Sequence, residues 1–252
     1  MGRLDGKVAF ITGGESGIGL ATARLFVAEG ARVHLAGLVK DLLEAAEADL
    51  GADVVSWSVT DVTQEDQVTA ALEQAAARFG RLDVLFSNAG IAGVHRPVSE
   101  YPTDVFRRVL DVHVLGAFLV LKHGLPRLSD GGSVIITSSV VGLTAAPGNS
   151  AYSTAKHAQV GLMRTVAREV AGRGIRVNTI HPGPTDTPFQ QAVEVAATGA
   201  PPDEAARAFD AMIPLGRHAS PEEIARSVLY LASGDSSFMT GSTLAVDGGM
   251  HG

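Results

Sequence analysis

Tyr152 and Lys156 stand four residues apart within Ser150 to Ala171, a stretch of helical composition, so they share one helix face and set an ammonium beside a phenol. A free tyrosine ionises near pH ~10. A neighbouring cation favours the phenolate, which predicts a lowered pKa and a side chain able to exchange a proton at working pH. That is the chemistry of general acid–base catalysis. Taken alone, such a pair is more often a surface contact. Ser138 and Ser139 follow the run Ser133 to Thr137, where a hydroxyl at the carboxyl edge of a strand can donate to a substrate oxygen that gains negative charge. Plain turn chemistry is the other reading of a serine there. Upstream, Thr12-Gly13-Gly14-Glu15-Ser16-Gly17-Ile18-Gly19 follows a short apolar run and opens a helical stretch. Glycines let the backbone turn tightly against a pyrophosphate, and a helix N-terminus offers free N–H groups with partial positive charge. The spacing is not the common G-x-G-x-x-G.

Holding these groups together takes a repeated β-α chain. Short apolar runs occur at Val8 to Ile11, Ala31 to Ala36, Val54 to Trp57, Val84 to Phe86, Ser133 to Thr137, Ile175 to Ile180 and Thr243 to Val246. Between them lie stretches such as Ile18 to Glu29 and Gln64 to Phe79, with alanine, leucine and charge at helical spacing. Continuous apolar strands are covered on both faces, which predicts an α/β fold: a doubly wound, mostly parallel sheet with helices on either side. Ligands of such sheets bind beyond the carboxyl ends of the strands. No distinct linker or fixed repeat interrupts the pattern, so 1–252 reads as one domain. Pro182 to Pro214 departs from the rhythm, and 184–214 is expected to form a substrate lid.

Composition narrows the function classes. The 252 residues are 46 % hydrophobic and 19 % charged, slightly apolar for a chain whose whole surface stays wet, which favours an oligomer. The net charge of −7 is spread out, with no basic run to follow a phosphate backbone, so nucleic acid is not an expected partner. Cysteine is absent, excluding disulfides, thiolate nucleophiles and zinc–thiolate sites, and no metal site is expected. No run approaches the ~18 uninterrupted apolar residues of a membrane span. Met1 to Asp5 lacks a signal-peptide pattern, so the expectation is no membrane partner and a cytoplasmic protein.

The run T-G-x-x-x-G-I-G at Thr12 to Gly19 resembles the cofactor fingerprint of the short-chain dehydrogenase/reductase family, and further motifs follow in order. Asn88-Ala89-Gly90 resembles the family's N-A-G; Ser139 with Tyr152 and Lys156, as Y-x-x-x-K, resembles its catalytic set; Pro182-Gly183 with Thr187 resembles its P-G-x-x-x-T. The likeness runs from Lys7 to Gly249. It implies a Rossmann-type domain with a seven-stranded sheet, a cofactor that is NAD or NADP, and hydride transfer to or from a secondary alcohol or ketone. Tyr152 would protonate the substrate oxygen, Ser139 would hold it, and Lys156 would bind the nicotinamide ribose. The family serine lies thirteen residues before the tyrosine, which selects Ser139 over Ser138. Cofactor contacts are implied for Gly13, Glu15, Ser16, Gly17, Ile18 and Gly19 in the loop, and for Asn88, Ala89 and Gly90. On the nicotinamide side they fall to Pro182, Gly183, Thr185 and Thr187, besides Tyr152 and Lys156. The run Gly241 to Gly249 resembles the family's last strand, which often pairs subunits, so a homotetramer or homodimer is expected.

Two departures stand out. Where many members carry asparagine in D-V-N-V-x-G, this chain has His113 in Asp111-Val112-His113-Val114-Leu115-Gly116. The asparagine helps hold a water that links the lysine to solvent. A histidine can hold the same water, titrate and make the relay pH-sensitive, or simply pack against backbone. The second departure lies at the end of the second strand, where NAD-preferring members place an aspartate; here Gly37 and Leu38 stand. Gly37 removes the charge that repels a 2′-phosphate and Lys40 is near in sequence, whereas Glu15 acts in the opposite sense, leaving a slight lean to NAD. Asp61 and Val62 resemble the family's adenine-contacting pair; Asp61 at a solvent-facing turn is the plainer alternative. The substrate pocket should be lined from Ile91 to Pro97, Val140 to Asn149 and Pro184 to Met212. It is mostly apolar through Val94, Val141, Leu143, Phe189 and Met212, with His95 and Asn149 as polar groups. A hydrophobic or cyclic alcohol or ketone follows. A cofactor-binding sensor or scaffold of the same fold, and a lyase or epimerase variant, are the competing readings; intact Ser139, Tyr152 and Lys156 favour the oxidoreductase.

Overall fold

Every apolar run singled out above becomes a strand. The computed structural model describes residues 2–252, so Met1 of the N-terminal stretch and of the 1–252 domain lies outside them. The first half is β1 (Val8–Thr12), α1 (Gly17–Ala28), β2 (Arg32–Gly37), α2 (Lys40–Leu50), β3 (Val55–Val59), α3 (Glu65–Phe79) and β4 (Leu82–Ser87). Next come α4 (Thr103–Leu110), a π-helical turn at Asp111–Leu115, α5 (Gly116–Gly124), β5 (Leu128–Thr137), α6 (Ser150–Glu169) and β6 (Arg176–Pro182). The chain ends with α7 (Pro188–Thr198), α8 (Pro202–Asp210), α9 (Pro221–Ala232) and β7 (Thr243–Val246). The strands form one seven-stranded sheet in the order β3-β2-β1-β4-β5-β6-β7. All its pairings are parallel, so the sheet is parallel throughout rather than mostly so.

Alternation along the strands feeds two cores. On β1, Val8 and Phe10 face a core built with Leu72 and Phe79 of α3, Leu121 of α5 and Met163 of α6. Ala9 and Ile11 face the other, with Phe26 of α1, Leu43 of α2 and Leu229 of α9. Burying each of these large side chains contributes about 1.5–3 kcal/mol, so β1 is held from both sides. The continuous helical stretch Thr103–Arg127 is long and apolar enough to cross a membrane by length and composition. It nevertheless sends Val109, Ala117, Leu119, Val120 and Leu121 into the interior.

Two boundaries differ from the sequence reading. The helix from Ser150 stops at Glu169 rather than Ala171, because Ala171–Arg173 tightens into a 3-10 turn that closes at left-handed Gly174. Residues 184–214 are mainly a helical pair. Thr187 caps α7 by accepting from the Gln190 N–H, Pro188 fits its first turn, and left-handed Gly199 ends it.

Candidate active site

The chain leaves β1 toward β2 and β3, then returns to place β4 on the other side of β1. Successive crossovers diverge there, opening a crevice at the carboxyl ends of the strands. A cleft of about 710 Å³ fills it. All the residues expected to contact the cofactor line this cleft except Gly19. Gly19 serves the loop instead: a Cβ on it would lie 1.9 Å from the Gly13 carbonyl oxygen.

The glycine loop is anchored by side chains from neighbouring strands. Thr12 Oγ1 accepts from the Asn88 and Ala89 N–H groups at 2.9 and 3.1 Å, tying the end of β1 to that of β4. Asn88 Nδ2 donates to the Gly13 carbonyl, while Asn88 Oδ1 accepts from Thr137 Oγ1 at 3.0 Å. Ser16, at the N-cap of α1, makes no side-chain bond to the first turn, so the helix presents its N–H groups to the cleft. A backbone cradle that side chains would fill, facing a helix N-terminus, fits the pyrophosphate of a dinucleotide.

At the other end of the cleft, α6 turns Tyr152 and Lys156 toward β5. Lys156 Nζ donates to the Thr137 carbonyl at 2.6 Å and lies 5.1 Å from the centre of the Tyr152 ring. The two serines after β5 point in different directions. Both line the cleft, but the buried Ser138 hydroxyl donates to the Lys156 carbonyl at 3.0 Å, whereas Ser139 lies beside Tyr152. Burial lowers the Lys156 pKa to about 7. Burial also pushes the Tyr152 phenol above its usual value, with the Ser139 side chain opposing it. This reverses the expectation from helical spacing: desolvation dominates, and it favours the protonated phenol.

His113 sits in the π-helical turn with its ring edge-on to Tyr152, centres 5.2 Å apart. Nε2 lies 2.8 Å from the Ile91 carbonyl oxygen and 3.1 Å from the Ile91 N–H, whereas Nδ1 is buried without a partner. Burial first, and then the Lys156 charge, hold its pKa well below the usual value, so the ring is neutral and the titrating alternative falls away. Its own carbonyl accepts from Gln159 Nε2 at 2.9 Å.

The adenosine end centres on Glu15 and the end of β2. Glu15 Oε1 accepts from the Leu38 N–H at 2.9 Å. Asp61 Oδ1 accepts from Thr63, and Asp61 Oδ2 lies 3.6 Å from Arg108, so Asp61 lines the cleft as a held side chain rather than a free surface turn. Lys40 pairs with Glu44 at 3.3 Å and does not line the cleft.

The substrate half contains Val94, His95, Val141, Asn149, Phe189 and Met212, as the sequence suggests. Leu143 is not part of it, because the 3-10 turn at Val140–Gly142 presents Val140 and Val141 instead. Cleft residues that the sequence reading missed include Thr137, Arg108 and Met250, and behind the cleft it missed His181. Buried His181 places Nδ1 2.7 Å from the Ser139 carbonyl oxygen and Nε2 2.8 Å from Thr179 Oγ1. Its position directly before Pro182-Gly183 was the available signal; nothing local marks Met250, which arrives from the chain end.

The profile of a family described as Enoyl-(Acyl carrier protein) reductase matches residues 13–251. With this fold and cleft, the chain belongs to the short-chain dehydrogenase/reductase family and is an NAD(P)-dependent oxidoreductase of the short-chain type. It is 42 % identical to cis-4-hydroxycyclohexanecarboxylate dehydrogenase of Sinomonas cyclohexanicum, over 96 % of each chain. It is 38 % identical to 2,5-dichloro-2,5-cyclohexadiene-1,4-diol dehydrogenase of Sphingobium indicum, over 99 % of this chain and 98 % of that one. Among solved structures, levodione reductase matches with a TM-score of 0.95 at 36 % identity, covering 99 % of both chains.

Proposed function

We propose that this chain interconverts an uncharged cyclic secondary alcohol and its ketone, with Tyr152 as the acid and base. The observation that carries this reading is the convergence of Ser139, Tyr152 and Lys156 on the cleft that also holds the glycine cradle. When bound, the nicotinamide supplies the hydride donor or acceptor. The Tyr152 hydroxyl gives its proton to the carbonyl oxygen during reduction and takes it back during oxidation. Ser139 Oγ donates to the same oxygen as charge develops on it. Lys156, held by the Thr137 carbonyl, brings positive charge to the phenol when protonated, and its pKa of about 7 keeps both of its forms within reach. His113 supports this corner as a neutral ring whose free Nδ1 can hold a proton-carrying water near Lys156. Residues 184–214 act as the lid, through Phe189 on α7 and Phe209 on α8.

Charge in the substrate half favours a neutral ring. Two relatives are named for ring substrates, one a carboxylate and one an uncharged diol. The lysine and arginine of the cleft are Lys156, beside Tyr152, and Arg108, beside Asp61. Beside Val94, Val141, Phe189 and Met212 the side chains able to meet a carboxylate are His95, Asn149 and Gln190, and none of these carries the fixed positive charge of a lysine or arginine. NAD is the favoured cofactor, since Lys40 is drawn to Glu44. A homodimer or homotetramer is the favoured assembly, because Leu115 and Phe118 are exposed beside Leu110 and Val114 of the same helical stretch and Leu162 of α6.

Steady-state oxidation of NADH with cyclohexanone, cyclohexane-1,4-dione and 4-oxocyclohexanecarboxylate tests the reading. Neutral ketones should show kcat/KM at least about tenfold above the carboxylate, equivalent to about 1.4 kcal/mol. A preference for the carboxylate would overturn the neutral-substrate assignment; turnover of open-chain ketones alone would overturn the cyclic one.

A further inference from the structure

We infer that Glu15 reads the adenosine ribose in this chain: the glycine loop delivers the carboxylate into the space that Gly37 leaves open at the end of β2. The inference rests on the nicotinamide-dependent reading above and identifies the residue that sets its cofactor preference.

Gly37 is the starting point. Its backbone is not in the left-handed region, so its conformation does not call for glycine. Space does. A Cβ built on Gly37 would lie 2.1 Å from Glu15 Oε2, 2.4 Å from Cδ and 2.6 Å from Oε1. The Glu15 carboxylate therefore occupies the volume that any side chain at position 37 would need. An acidic group stands at the end of the second strand after all, but it comes from the loop after β1.

Its two oxygens are used differently. Oε1 accepts from the Leu38 N–H at 2.9 Å, which fixes the carboxylate against the strand end. Oε2 is buried and has no hydrogen-bond partner among the described residues. An unsatisfied carboxylate oxygen beside a dinucleotide cleft calls for a hydrogen-bond donor. A ribose diol supplies O–H donors, and their bonds to a carboxylate are charge-assisted. A 2′-phosphate supplies negative charge instead, against Glu15, while Arg108 stands with Asp61 at 3.6 Å and Lys40 with Glu44 at 3.3 Å. NAD is accepted and NADP rejected at the same point.

The coupling between positions 15 and 37 makes the test specific. The purified protein is titrated with NADH and with NADPH, following nicotinamide fluorescence without substrate, and each variant's melting curve checks that it is folded. Wild type should bind NADH at least about tenfold more tightly than NADPH, the scale of one charge-assisted hydrogen bond. Glu15→Gln, of the same shape, should bring the two affinities within about threefold of each other. Gly37→Asp alone should weaken NADH more than tenfold, because two carboxylates then contend for one space. Joining it to Glu15→Ser should restore the NADH preference by moving the carboxylate back to the strand. An unchanged NADH-to-NADPH ratio in Glu15→Gln would overturn the inference, as would NADPH preference in wild type. Binding of neither nucleotide by the folded wild type would overturn the nicotinamide-dependent reading itself, and this inference with it.

Discussion

At the scale of single residues, the acid–base corner works by balancing burial against charge. Burial favours the protonated phenol of Tyr152 and brings the Lys156 pKa to about 7, both because desolvation disfavours their charged forms. Tyr152→Phe removes the proton donor and leaves the glycine cradle untouched. Turnover should fall at least ~100-fold while NADH affinity stays within about twofold. A variant that keeps a tenth of the wild-type rate would remove Tyr152 from its role. Lys156 also predicts a pH effect on stability. Between its folded pKa of about 7 and its ordinary value of 10.5, the unfolded chain binds a proton that the folded chain has released. Stability of the cofactor-free protein should therefore rise with pH across that window. Urea unfolding at pH 7 and pH 9 should show this rise in wild type and a smaller one in Lys156→Met; equal slopes would mean that Lys156 does not titrate there.

Among the elements, α7 and α8 are fastened by one imidazole. His218 sets Nε2 against Glu194 of α7, which is nearly fully buried, and Nδ1 at 2.7 Å from Asp210 at the end of α8. Burial lowers the His218 pKa, but the two carboxylates outweigh it and the net shift is upward. A raised folded pKa gives a stabilisation that is fully present below the unfolded value of 6.5 and is lost as pH rises through the folded value. Hydrogen exchange in 184–214 should accordingly be slow at pH 6 and accelerate more than in the strands as pH rises beyond 6.5, after correction for the intrinsic exchange rate. His218→Gln should remove that extra acceleration. If the variant keeps it, another contact fastens the pair. Because Phe189 and Phe209 face the cleft from these helices, looser lid packing should also appear as a higher KM at alkaline pH.

The whole molecule leaves apolar surface outside its buried cores. Leu115 and Phe118 are exposed on the face formed with Leu110, Val114 and Leu162; separately, Phe238 is exposed just before β7, which forms one edge of the sheet. Contiguous apolar surface of this kind marks an association site, and a second copy of the chain is the partner proposed above. Light scattering at micromolar concentration should give a multiple of the 26.0 kDa chain mass, and Leu115→Glu should lower it. A wild-type mass near 26.0 kDa would rule the assembly out.

The amino-acid order by itself determined the parallel α/β plan, the glycine loop, and the Tyr152 and Lys156 pair. Each depends on residues close in sequence: alternation within a strand, a turn into a helix, two side chains one helical turn apart. The segment 184–214 was legible as a departure from the β-α rhythm, although its helices were not, since their hold on one another runs through His218, beyond the segment. Tertiary structure alone decided which charges and hydrogen bonds each side chain meets. It raised the Tyr152 pKa through burial, turned the Ser138 hydroxyl to the Lys156 carbonyl and set Ser139 beside Tyr152, and brought Met250 in from the chain end. It also laid Glu15 over Gly37, which belongs to the neighbouring strand. Desolvation and side-chain contact depend on what the rest of the chain packs around a group, and neither is encoded in spacing along the sequence.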